Sequence, residues 1–162
     1  MIAWKDICEN PALKDLPYKI ETNRFDQIIM SPAFSWHGGY QVEIATLLKK
    51  LLPGGRVIVE CAIETTDGTK VPDVIWISTV RHAPMKRAYS FNVAPEICVE
   101  VMSNSNSREE MRDKMKLFFA TGALEVWFCD EQGDLVFFAR DVDNALSGSI
   151  MCPEFPKHIE WD

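Results

Sequence analysis

The chain has 162 residues, 47% of them hydrophobic and 25% charged, with a formal net charge of −7. These proportions read as globular rather than disordered and suit one domain, 1–162, with a core of its own. The acidic balance also excludes a protein that grips nucleic acid over its whole surface, because backbone binding is driven by Lys and Arg.

The opening Met1-Ile2-Ala3-Trp4-Lys5-Asp6 lacks the basic-then-apolar order of a signal peptide. The first dozen residues predict a helical turn broken at Asn10-Pro11. Residues 18–22 and 25–30 flank Asn23-Arg24 and predict an N-terminal β-hairpin, ended by Ser31-Pro32. From His37 to Leu52, the apolar positions Tyr40, Ile44, Leu47, Leu48 and Leu51 recur at helical spacing, and Pro53-Gly54-Gly55 stops that helix. Strands are predicted over 57–63, 74–79 and 97–102, and Thr66-Asp67-Gly68-Thr69 is read as the turn that makes an antiparallel hairpin of the first two.

Residues 80–93 form a basic connection of little periodicity. Ser107 and Glu110 have capping-box spacing, opening a helix that runs to Thr121 and closes at Gly122. Two last strands, 125–129 and 135–140, follow. The order, a helix on a mixed sheet and then a second helix with further strands, predicts an α/β layered domain (an α+β mixed sheet). No apolar stretch is long enough for a membrane helix. Five scattered cysteines (Cys8, Cys61, Cys98, Cys129, Cys152) show no C-x-x-C spacing, so a reducing cytoplasm is the expected compartment and a zinc–cysteine site is not expected.

Chemistry concentrates at three residues. Asp73 follows Pro72 and opens the apolar run Val74-Ile75-Trp76-Ile77, and Glu100 lies inside Ile97-Cys98-Val99-Glu100-Val101-Met102. A carboxylate within a buried strand is costly unless a cation, a metal or hydrogen bonds compensate it. Strand alternation puts Glu96, Cys98, Glu100 and Met102 on one face. Lys114 lies one helical turn from Met111 and Phe118, at the border of the packed stripe, and its long stem can carry the ammonium toward Glu100.

From spacing alone the structural alternatives stay open. Glu110 stands four residues before Lys114, a good helix ion pair that needs no active site. Asp73 could hydrogen-bond a turn, and Glu100 could pair with any single cation. Glu43 and Glu60 are candidates for a third carboxylate. His37, His82 and His158 share no spacing and read as isolated surface or core histidines. Ser103 lacks a G-x-S-x-G elbow, and no phosphate-binding glycine loop occurs. Residues 80–120 hold seven basic side chains (Arg81, Lys86, Arg87, Arg108, Arg112, Lys114, Lys116) against five acids, so the surroundings of the candidate site are not acidic.

A set of motifs resembles the Uma2 family, restriction-endonuclease-like proteins within the PD-(D/E)XK nuclease superfamily. They are Met30-Ser31-Pro32 with His37, Val71-Pro72-Asp73-Val74, Pro95 through Ser103, Arg112-Asp113-Lys114 with Phe118, Gly122 through Trp127 up to Asp130, and Pro153-Glu154-Phe155-Pro156. The resemblance runs from about Glu21 to Phe155. The superfamily's lysine two positions after the glutamate is absent, since Met102 stands there. Uma2-like proteins supply it from the following helix, where Lys114 lies.

The resemblance implies a restriction-endonuclease-like core, a central mixed sheet with a helix on each side, and a metal-dependent endonuclease that hydrolyses DNA phosphodiester bonds. Asp73, Glu100 and Lys114 would be its catalytic residues. Asp73, Glu100 and the backbone carbonyl of Val101 would hold Mg²⁺, which Mn²⁺ could replace, with Glu43 as a further contact through water. Arg81, Lys86, Arg87, Arg108 and Arg112 are candidates for DNA phosphate contacts, and a homodimer is expected. Two alternatives remain at this point: a catalytically silent relative that binds DNA or protein, and a metal-dependent hydrolase of small phosphoesters.

Overall fold

In the computed structural model, which describes residues 1–161, the chain runs α1 (Trp4–Glu9), β1 (Tyr18–Thr22), β2 (Ile28–Pro32), α2 (Ser35–Leu51), β3 (Gly55–Val59), β4 (Ile63–Thr65) and β5 (Gly68–Lys70). It continues through β6 (Val74–Ser78), α3 (Thr79–His82), a 3₁₀ turn (Ala83–Met85), β7 (Ile97–Val101), α4 (Arg108–Thr121), β8 (Glu125–Cys129) and β9 (Leu135–Ala139). The expected mixed α/β architecture is present. Its centre is a five-stranded sheet ordered β3-β6-β7-β8-β9, in which only β7 and β8 are parallel and α4 makes the crossover between them.

The period-two pattern divides the core as the sequence predicts. Val74, Trp76, Ile97, Val99 and Val101 face α2 and pack with Tyr40, Ile44 and Leu48. Ile75, Ile77, Cys98 and Val126 face α4 and pack with Met111 and Phe118. The capping box is complete: Glu110 N donates to Ser107 Oγ and Ser107 N donates to the Glu110 carboxylate. Glu110 therefore serves the helix end, leaving Lys114 for other partners.

Two expectations need correction. Strands β3 and β6 do pair antiparallel, but Asp67-Gly68 is not the turn between them. It closes a separate hairpin, β4–β5. The reason lies at Glu60, which is not in mid-strand: its φ of 52° is a left-handed conformation that ends β3 at Val59 and turns the chain out of the sheet. The N-terminal hairpin forms, with Ser31 and Pro32 inside β2 rather than ending it.

The small hairpin braces β1. Thr69 N donates to Thr22 Oγ1, Lys70 Nζ to Thr22 O, and Val71 N to Glu21 Oε1. Gly68, at φ 80°, permits the contact, since a Cβ there would stand 2.5 Å from the Thr22 carbonyl oxygen.

Glu125 is the other buried carboxylate of the sheet. Its oxygens accept from Trp127 Nε1 (2.7 Å), Ser149 Oγ (2.7 Å), Ile150 N (2.9 Å) and Met151 N (2.8 Å). This joins the sheet to the C-terminal loop. Removing such an acceptor leaves buried donors without partners, so Glu125→Ala is expected to destabilise the fold by about 3–5 kcal/mol. Ser107→Ala, which removes one exposed cap, is expected to cost about 1 kcal/mol. Urea unfolding midpoints of both variants check the ranking.

Candidate functional site

The last ladder pair between β6 and β7 at this end is Val74 with Val99, and one further step sets Asp73 against Glu100. Both side chains emerge on the α4 side and are almost wholly buried, at 1% and 3% exposure. They open at the foot of a cleft of about 800 Å³ that β1, β2, α4 and the loop after β7 also line.

Four of the residues expected from the sequence meet here. Lys114 reaches in from α4 and stands 2.9 Å from Glu100 Oε1. Val101 contributes both backbone groups: its N–H donates to Asp73 Oδ2 (2.7 Å), and its carbonyl lies 3.1 Å from His37 Nε2. Gln41 Nε2 donates to the Asp73 carbonyl (3.2 Å) and so fixes the start of β6 from α2.

Three members went unassigned in the sequence. Lys19 Nζ donates to Asp73 Oδ1 at 3.0 Å and Glu100 Oε2 at 3.4 Å. Glu21 Oε1 pairs with Lys114 Nζ at 2.7 Å. These two are alternate residues of β1 and so leave the strand on one face. His37 Nε2 stands 3.3 Å from Asp73 Oδ2, so it is a site residue and not an isolated histidine. The Lys-x-Glu alternation of β1 was the available signal, though without the fold it does not say what the pair faces.

The remaining expected residues lie elsewhere. Glu43 is exposed on α2 and is not among the cleft-lining residues, whereas Glu21 lines the cleft beside Lys114. Glu60 is exposed at the cleft rim, and its N–H donates to the Asp73 carbonyl (3.1 Å). Arg81 is committed to the scaffold, with Nη1 donating to the carbonyls of Ala94 and Gly122 and Nε beside Glu96. Lys86, Arg87, Arg108 and Arg112 are exposed and are not among the cleft-lining residues.

Burial and charge divide the protons unequally. Burial alone would raise the Asp73 carboxyl, but the Lys19 ammonium and the His37 hydrogen bond outweigh it and hold the group well below the usual range. Burial pushes Glu100 up to about 7, which Lys114 and Lys19 only partly oppose. For Lys19 and Lys114, the desolvation that would lower them is overcome, with Glu100 the leading cause in each, and both are held above the ordinary lysine value. Asp73 is thus the fixed charge of the pair and Glu100 the member that takes a proton.

The donor set fits a hard divalent ion. No three His, Cys, Asp or Glu side chains converge as a ready ligand cluster among the described residues. What converges is two carboxylates and a carbonyl, the sparse oxygen set with which Mg²⁺ keeps several waters. Glu100 Oε1 is buried, and the group it meets is the Lys114 ammonium at 2.9 Å, with no hydrogen bond from the scaffold to fix it.

A family model described as "Uma2: Putative restriction endonuclease" matches residues 14–152. The fold is similar to the crystal structure of a "putative nuclease belonging to DUF820" from Anabaena variabilis ATCC 29413. The TM-score is 0.75 at 17% identity, over 98% of this chain and 94% of that one. No curated protein matches the sequence. Among the described residues no helix is long and apolar enough to cross a membrane.

In metal-free protein the raised Glu100 carboxyl gives a signed pH effect. Its folded value of about 7 lies above the unfolded value of roughly 4.3. Its stabilising contribution is therefore full below the unfolded value and is lost as pH rises through about 7. In the presence of a chelator, wild type should lose on the order of 2 kcal/mol relative to Glu100→Gln between about pH 5 and pH 8. Urea unfolding of both proteins at the two pH values measures it, and parallel pH dependence would contradict the assignment.

Proposed function

The chain belongs to the Uma2 family, and from that premise we propose that it is a metal-dependent endonuclease acting on DNA phosphodiester bonds. The carrying observation is that Lys114, from α4, stands 2.9 Å from Glu100 while Glu100 and Asp73 share the Lys19 ammonium at the foot of one cleft. Asp73, Glu100 and the Val101 carbonyl would hold Mg²⁺, with Mn²⁺ able to substitute. When bound, the ion supplies Lewis-acid activation of water and neutralises phosphate charge.

The protein's own side chains do the rest. Lys114 orients the attacking water in line with the scissile bond and offsets the charge that grows on the phosphate oxygens. The bond from water oxygen to phosphorus forms, with a proton of that water passing to solvent, as the bond to the leaving sugar oxygen breaks and that oxygen takes a proton from solvent. Glu21, on Lys114 at 2.7 Å, holds that ammonium charged and aimed. Arg108 and Arg112, exposed on α4, are the proposed contacts for flanking phosphates, which position DNA without reading its sequence.

The proposal includes a homodimer. Exposed apolar residues of the first hairpin, among them Phe25, Ile28, Ile29 and Met30, offer it a surface beside the cleft.

Supercoiled plasmid incubated at low salt with Mg²⁺ or Mn²⁺ tests the activity. Wild type should nick or linearise it. Lys114→Met should lower the rate about 100- to 1000-fold, and Asp73→Asn and Glu100→Ala should abolish it. Undiminished cleavage by any of the three would remove that residue from the mechanism. Metal binding without cleavage by wild type would favour a small phosphoester as substrate.

A further inference from the structure

Lys114 fills the place expected of the site's lysine, which leaves Lys19 without a role. Lys19 enters from β1, the opposite wall to α4, and its ammonium spans Asp73 Oδ1 and Glu100 Oε2 at 3.0 and 3.4 Å. The second oxygen of each carboxylate is engaged otherwise. Asp73 Oδ2 accepts from Val101 N and faces His37, and Glu100 Oε1 faces Lys114. Lys19 therefore stands on the one pair of oxygens through which a single cation can join the two side chains.

Ammonium and divalent ion compete for that position. An oxygen-bound Mg²⁺ lies about 2.0–2.1 Å from its ligands. A lysine 3.0 Å from the same Asp73 oxygen would then face it as a like charge in a poorly screened pocket. Charge balance points the same way. With Glu100 ionised, as a ligand to a cation must be, three carboxylates (Glu21, Asp73, Glu100) face two ammoniums (Lys19, Lys114). A divalent ion overshoots neutrality by one positive charge, and one phosphodiester restores it. Lys19 is 16% exposed, lines the open cleft, and has four flexible carbons along which to swing.

We propose that Lys19 is the resident cation of the metal site, clamping Asp73 to Glu100 in the metal-free protein and transferring to the scissile phosphate when a divalent ion takes its place. This rests on the metal-dependent reading above and adds a second lysine to it. It also sets Lys19 apart from Lys114, whose partner Glu21 keeps it in position whether or not the carboxylate pair holds an ion. Metal and phosphodiester should accordingly bind with positive coupling, since the displaced ammonium gains a partner only when phosphate is present.

The test is Mn²⁺ titration without nucleic acid, read by the electron paramagnetic resonance signal of the free ion. The proteins compared are wild type, Lys19→Met, Lys19→Gln, Lys19→Arg and Asp73→Asn, each checked for a cooperative thermal melt. Lys19→Met and Lys19→Gln should bind Mn²⁺ at least about tenfold more tightly than wild type, about 1.4 kcal/mol. Lys19→Arg should bind as weakly as wild type, and Asp73→Asn should lose binding. At saturating Mn²⁺, Lys19→Met should still cleave plasmid roughly 100-fold more slowly.

Tighter binding with slower cleavage is a split that a merely structural lysine does not produce. Equal or weaker Mn²⁺ binding by both Lys19→Met and Lys19→Gln, with wild type binding normally, would overturn the Lys19 proposal and leave the nuclease reading standing. Tighter binding with undiminished cleavage would overturn the transfer to phosphate. Absence of Mn²⁺ binding in every protein, at millimolar concentration, would remove the metal-dependent reading and this inference with it.

Discussion

Two carboxylates placed opposite one another on adjacent buried strands are the constraint around which this protein is arranged. Asp73 and Glu100 cannot both be ionised in an apolar interior unless cations meet them there. The chain supplies one ammonium from each wall of the cleft, Lys19 from β1 and Lys114 from α4. Even so, Glu100 is left on the edge of protonation. A site so balanced responds to any added cation or anion, which suits chemistry on a phosphate better than it suits a structural ion pair.

Peripheral elements make sense in that light. The sheet and its helices carry Asp73, Glu100 and Lys114, and the N-terminal hairpin adds the two side chains that pair with them. Lys19 and Glu21 require β1 to lie at a defined height over the cleft, and β1 belongs to no large sheet. The small β4–β5 hairpin fixes it through Thr69, Lys70 and Val71, at a separation that only a residue without a side chain at position 68 allows. The left-handed turn at Glu60, which breaks β3, is what releases the chain to build that brace. Its amide also holds the Asp73 carbonyl, so the same irregularity serves the brace and the carboxylate.

The sequence was most readable where local physics decides. Both long helices, the capping box at Ser107, the facing of Glu100 toward α4 and the reach of Lys114 follow from periodicity and side-chain length. The pairing of Lys19 and Glu21 with the site was not readable. It depends on a hairpin docking across a gap of about fifty residues in sequence, which no local pattern encodes. Glu43 illustrates the converse. Its helix is where the periodicity puts it, yet its side chain points to solvent, because a border position on a helix leaves both outcomes open. Arg81 was grouped with its basic neighbours by composition, whereas two backbone carbonyls and Glu96 claim its guanidinium.

Glu100 and Glu125 show how burial alone fails to separate structure from function, and what does separate them. They lie on adjacent parallel strands, are equally inaccessible, and each interrupts an apolar run. Glu125 accepts four well-formed hydrogen bonds, every one from a neutral donor, which is the signature of a group whose task is to stay put. Glu100 meets only the mobile ends of two lysines, with no hydrogen bond from the scaffold to fix its Oε1. A carboxylate held by flexible ammoniums at a cleft can exchange them for other partners without unfolding anything. The difference in donor type between the two glutamates therefore sets an exchangeable carboxylate at the Glu100 end of the sheet and a fixed one at the Glu125 end, which is the physical ground for proposing the chemistry at the former.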